Sequence, residues 1–145
     1  MSDQSQTALN SALIDMSRSF LQYVAEGWPW VDSEHQAVGD QVLALAESQR
    51  GDVAAIVELL TEREQFIDFG SFPTEYTDLQ FLALDAMFDW LENSQQVVIA
   101  STAVAAQAVK SVDDADASEL MEVIHSRQKE LIEKLKEVRS RTPVQ

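Results

Sequence analysis

The chain contains no cysteine. That excludes a disulfide framework, a thiolate nucleophile, a zinc knuckle and a cysteine-held iron–sulfur cluster. Glycine and proline are almost as scarce, at four and three residues, and neither a phosphate-cradling glycine loop nor a nucleophile elbow is present. Only two histidines, His35 and His125, are on hand for imidazole chemistry. Basic residues are few as well: 10 Lys and Arg stand against 25 Asp and Glu, a formal charge of −15. Such a balance repels nucleic-acid phosphates and anionic membrane. No uninterrupted apolar run approaches the ~18 residues of a membrane helix. The polar start MSDQSQTALN lacks the basic and apolar regions of a secretory leader, so a cytoplasmic location is the expectation. What the chain does have is 145 residues, 46% of them apolar. That suits one domain over residues 1–145, with 1–5 and 142–145 expected to fray.

Apolar residues recur at helical spacing, and no stretch alternates strictly, so the class is all-α. The first helix is expected over residues 6–28, where Leu9, Leu13, Met16, Phe20 and Tyr23 form one stripe and Gly27 and Pro29 end it. Asp32 or Ser33 would cap a second helix reaching Gln49, with Val38, Val42 and Leu45 inward. Arg50-Gly51-Asp52 reads as a break, with Asp52 capping a short extra helix over residues 53–64. Residues 65–76, QFIDFGSFPTEY, read as an aromatic crossing loop. Thr74 or Thr77 then starts a helix that meets no Gly or Pro before Val109; a break near Asn93-Ser94 stays open. Its core stripe reads Leu79, Ala83, Ala86, Met87 and Trp90. Asp116 and Glu119 have the spacing of a capping box opening the last helix, buried through Leu120, Ile124, Leu131, Leu135 and Val138.

Charge is uneven, with net +3 over residues 127–141 and net −18 over residues 1–126. Complementation of the helix dipole and i,i+4 pairs such as Glu130–Lys134 account for the basic end, and docking of that end on an acidic surface of another subunit is the sharper alternative. The acidic surface also suits a basic protein partner. Asp68-Phe69-Gly70 spells a kinase magnesium motif without its companion signatures, and reads as loop.

Glu122-Val-Ile-His125 puts a carboxylate and an imidazole on one helix flank, and Asp32-Ser-Glu-His35 gives a similar pair. Four-helix di-iron and di-manganese proteins use one Glu-x-x-His on each of two helices and one Glu from each of the others. The first helix, through Leu9-Asn10, Leu13 and Gln22-Tyr23, is similar to that of bacterioferritin-type proteins. The last, through Glu122 to His125 and then Leu131 to Leu135, is similar to their fourth. On these residues the chain resembles the ferritin-like superfamily, which includes bacterioferritin and rubrerythrin, over roughly a third of its length. Residues 72–79 also look like a segment of uncharacterised ferritin-like proteins. The resemblance implies an antiparallel four-helix bundle and a di-iron or di-manganese centre. Asp32, His35, Glu122 and His125 would be ligands, assisted by Asp85 or Asp89.

The departures weigh against that centre. The family's first-helix ligand falls on Met16, and Asp85 and Asp89 lie off their helix's core stripe. Glu122 is nearly opposite the stripe of Ile124, Leu131 and Leu135. The expectation is therefore a bundle with no cofactor, a binding or structural role, and self-association as a dimer. A di-metal oxidoreductase or iron-handling protein is the alternative. Phe81, Leu84, Phe88 and Leu91, off the expected core stripe, together with Trp28, are the expected interface.

Overall fold

The computed structural model describes residues 3–26, 36–73, 76 and 84–141. Five helices make up this part, and no strand occurs among the described residues. They are α1 (Asp3–Ser17), α2 (Phe20–Glu26), α3 (Gln36–Glu62), α4 (Leu84–Ser111) and α5 (Ala115–Ser140).

The expected first helix is in fact two. At Arg18 and Ser19 the chain leaves the helix and restarts, because Ser19 caps α2: its hydroxyl accepts from the Gln22 backbone N–H at 3.4 Å. The Phe20 N–H, with no helical acceptor, donates to Ser94 Oγ at 3.0 Å. Conversely, the break expected at Arg50-Gly51-Asp52 does not occur, and α3 runs through it. Gly51 lies exposed in that helix, a position that costs only about 1 kcal/mol relative to alanine. Asp52 is buried within α3 instead of capping it. The extra short helix is thus α2. Asp114, not Asp116, caps α5, accepting from Ala117 N–H at 3.3 Å. No break occurs at Asn93-Ser94. Thr74 and Thr77 lie outside the described residues.

Both α1 and α5 pack against α3 and α4, leaving α1 diagonal to α5 and α3 diagonal to α4. Two apolar clusters fill the interior. One contains Leu9, Leu13, Ile56, Val109 and Met121; the other contains Phe20, Val42, Phe88, Leu135 and Val138. These memberships fix direction: α1, α2 and α5 run from the first cluster toward the second, and α3 and α4 run the opposite way. The parallel α3 and α4 are therefore joined by one long connection that travels the length of the bundle.

Residues 65–73 of that connection lie on α1. Asn10 and the Asp68 backbone exchange two hydrogen bonds, Nδ2 donating at 3.0 Å and Oδ1 accepting at 2.9 Å. Arg18 Nε donates to Phe69 O at 2.9 Å, and the Asp68 carboxylate accepts from Gly70 N–H. Gly70 has φ +67°, and a Cβ there would meet Ile14 Cγ2 at 2.8 Å, so the approach requires glycine. The Asp-Phe-Gly triplet is thus a turn that docks the loop. The helices α3 and α4 both end in left-handed residues, Glu64 and Asp113. Gln65 N–H bonds Leu60 O and Asp114 N–H bonds Val109 O, closing both ends as Schellman motifs.

Candidate functional site

Of the residues expected as metal ligands, the structure describes Glu122, His125, Asp85 and Asp89. Asp32 and His35 lie outside the described residues. Glu122 is exposed on α5. His125, one turn on, is half-buried with Nδ1 2.9 Å from Thr102 Oγ1. That hydroxyl also donates to Ile99 O at 3.0 Å. Burial pushes the His125 imidazole below the usual histidine range, Lys129 adds to this, and a hydrogen bond to the Ile99 backbone opposes it. Asp85 and Asp89 both pair with Arg139, at 2.7 and 2.9 Å, and Glu92 joins them at 2.8 Å. Part of the basic end is therefore engaged within its own chain. Met16 is fully buried in apolar surroundings. Among the described residues, no group of three or more His, Asp or Glu is placed to hold a metal ion.

Two of the expected interface residues are corrected by burial. Phe88 is 1% exposed and Leu91 is fully buried in the chain's own core, so they present nothing to a second copy. The stripe of α4 is rotated from its expected position, and Trp90, expected in the core, sits at the surface with 37% exposure. Leu84 opens α4. Phe81 and Trp28 lie outside the described residues.

The feature that the hydropathy pattern hides lies between the two apolar clusters. Each arm of the bundle contributes one buried glutamine: Gln22 from α2, Gln49 from α3, Gln95 from α4 and Gln128 from α5. Gln49 is the hub. Its Nε2 donates to Gln95 Oε1 and Gln128 Oε1, both at 3.1 Å. Its Oε1 accepts from Gln22 Nε2 at 3.0 Å and from the Ser19 hydroxyl at 3.1 Å. Gln95 Nε2 donates to Gln128 O at 3.0 Å, and Gln22 Nε2 donates to Ala46 O at 2.8 Å.

Gln128 Nε2 then donates to Asp52 Oδ2 at 2.7 Å, and Arg127 Nε meets Asp52 Oδ1 at 2.7 Å from the surface side. Burial holds the Asp52 carboxyl above the usual aspartate range, with Arg127 and Gln128 pulling it partly back. Arg50 Nε closes the remaining acceptor, Gln22 Oε1, at 2.8 Å. Each glutamine side chain thus bonds through both its amide nitrogen and its carbonyl oxygen. This matters because an unmet buried amide costs about 1–3 kcal/mol, whereas a met one is near neutral.

Chemically the layer is poor in reactive groups. Primary amides neither titrate nor supply anionic donors, and the Asp52 carboxylate is already committed to a guanidinium and an amide. The donor set does not fit a di-iron or di-manganese centre, which needs several carboxylates and imidazoles turned inward.

A surface groove of about 400 Å³ lies between α1, the connection and α4, walled by Ile14, Pro73, Tyr76, Trp90 and Val97. No helix among the described residues is long and apolar enough to cross a membrane. Compared with protein-family models, curated proteins and solved structures, the chain matches none.

Proposed function

We propose that this protein is a ferritin-like helical bundle of non-catalytic type, a self-associating structural or docking protein whose interior has no metal chemistry. The observation that carries this reading is the amide layer. Di-metal bundles turn carboxylates and imidazoles inward; the polar side chains this chain turns inward between its two apolar clusters are chiefly the amides of Gln22, Gln49, Gln95 and Gln128. Those four bond to one another, to main-chain carbonyls, to Arg50 and to Asp52, whose carboxylate is paired with Arg127. Support for the ferritin-like part comes from topology. A four-helix bundle with antiparallel neighbours and one long crossover is the ferritin-like connection pattern, and residues 65–73 make that crossover here.

The test is metal content. The full chain produced in iron- or manganese-supplemented medium is expected to carry less than about 0.1 equivalent of either metal after desalting. Close to two equivalents, lost on His125→Ala, would establish the di-metal reading in its place.

A further inference from the structure

Two seams run along α4. The inner one, from Phe88 to Val109, is buried and includes Gln95. The outer one has the same heptad spacing and faces solvent. Trp90, Val97 and Val104 recur every seven residues, at 37%, 62% and 69% exposure. Asn93, Ala100 and Gln107 fall between them and are exposed. Ser111 completes the 3-4 alternation. The spacing is that of a helix–helix seam, with Trp90, Val97, Ala100 and Val104 its apolar members and Asn93, Gln107 and Ser111 its polar ones.

We infer that this outer seam is the two-fold interface of a homodimer, with α4 of two copies packed antiparallel about Ala100. The inference rests on the self-association reading above and gives it a surface and a register. Three observations choose a second copy as the occupant.

First, the seam is self-complementary. Reversed about Ala100, Asn93 falls level with Gln107 of the second copy, an amide against an amide, and Val97 falls within one residue, about 1.5 Å, of the level of Val104. Ala100 faces itself, and its small side chain lets the helices approach. An isologous interface requires this reciprocity, in which residue i meets j and j meets i.

Second, residues 93–109 contain no charged residue, although the chain as a whole carries −15. That stretch is about 25 Å of helix on which two strongly acidic molecules can meet without opposing charges. The 26-residue α5 carries charge on most of its exposed positions and offers nothing comparable.

Third, charge sets the direction. Asp85, Asp89 and Glu92 crowd the first turns of α4, and Lys110 lies at its end. A parallel pair would stack the acidic ends on each other; the antiparallel pair sets Lys110 of each copy level with residue 90 of the other, between Asp89 and Glu92, while Asp85 falls level with residue 115. Paired about Ala100, α4 overlaps its copy over residues 89–111, a footprint of about 34 Å by 10 Å, or about two fifths of the ~800 Å² per partner of a standard interface. The flank of α1 at Ile14, which shares a groove with Val97, adds to it. The expected dissociation constant is about micromolar.

The absence of native cysteine makes the register directly readable. Sedimentation of the full chain from about 1 to about 200 µM is expected to show a reversible monomer–dimer equilibrium. Ala100→Cys is expected to oxidise to a disulfide-linked dimer. Val97→Cys alone is expected not to, since its copy would lie about 10 Å away along the axis, whereas Val97→Cys with Val104→Cys is expected to cross-link. Val97→Glu with Val104→Glu should weaken the dimer at least about 100-fold, with the helical content of the monomer unchanged because both sites are exposed in the single chain. A dimer that forms while Ala100→Cys fails to cross-link would overturn the seam and leave self-association standing. A monomer throughout the concentration range would overturn both.

Discussion

At one end of the bundle the space between helices is filled by rings. Phe20 meets Tyr76 edge-on at 5.2 Å and Trp90 at 5.9 Å, and Tyr23 reaches Phe72 at 5.3 Å. At the other end the corresponding volume is taken by Leu9, Leu13, Ile56, Leu60 and Met121, with no aromatic residue in the cluster. The difference follows the connections. The ringed end receives the long connection, and Phe72 and Tyr76 anchor that single length of chain with large contact area and few side-chain torsions. The aliphatic end joins α4 to α5 through a tight turn, and an ion pair does the fastening: Arg63 reaches Asp114 through two hydrogen bonds, at 2.7 and 2.8 Å. Aromatic packing fixes a loop, and a bidentate charge pair fixes a corner.

That contrast is open to experiment. Phe20→Ala is expected to cost about 3–5 kcal/mol, more than Leu13→Ala at about 2–4 kcal/mol, because the rings of Tyr23, Tyr76 and Trp90 lose their common neighbour. Urea unfolding of both variants checks the order. Between the two ends, Gln128→Leu removes the acceptor of Gln49 and the donor to Asp52, and is expected to cost about 3 kcal/mol. Gln96→Leu, at an exposed position of α4, should stay within about 0.5 kcal/mol in the same assay.

The charge fastening at the aliphatic end should show in acid. Hydrogen bonding from Arg63 holds the Asp114 carboxyl at about 2, below its ordinary 3.8. The stability this contributes is present above about pH 4 and lost as pH falls toward 2, amounting to about 1–2 kcal/mol once solvent screening is allowed for. Unfolding midpoints of Arg63→Met are expected to lose that acid slope. Asp52 has the opposite sign: its carboxyl is raised above the ordinary 3.8, so its ionisation lowers stability as pH rises from there through its folded-state value. The smallest effect is expected at the corner itself. Asp113 has φ 56°, and Asp113→Gly should gain about 0.5 kcal/mol, read as a small rise in melting temperature.

Much of the helical frame was legible because it follows from where apolar residues recur. Leu9, Leu13, Met16 and Phe20 are buried as their spacing required, and so are Ile124, Leu131, Leu135 and Val138. Residue chemistry misleads when it is taken without its partners. Gly51 and Asp52 spell a break, yet an exposed helical glycine is cheap and a buried aspartate holds if a guanidinium reaches it. On α4 the large side chain of Trp90 draws the expected stripe to itself, while the buried stripe passes through Gln95 and Thr102.

The amide layer escapes for the same reason. Glutamine counts as polar and is set outside any apolar stripe, although Leu91, Gln95 and Val98, like Ile124, Gln128 and Leu131, keep core spacing. The available clue is the interruption of several stripes by the same residue type. Whether such residues meet across the bundle depends on axial alignment, which one sequence does not specify.

Axial alignment is also where the hub at Gln49 has its furthest consequence. Rods lined only with leucine and valine can slide past one another by a turn and still find greasy neighbours. Here a displacement of about 5.4 Å, one helical pitch, would pull Gln49 away from Gln95 and Gln128 and press each against methyl groups. The bundle therefore carries its own vernier: a single alignment satisfies all four rods, and a slipped neighbour is rejected by several stranded amides at once.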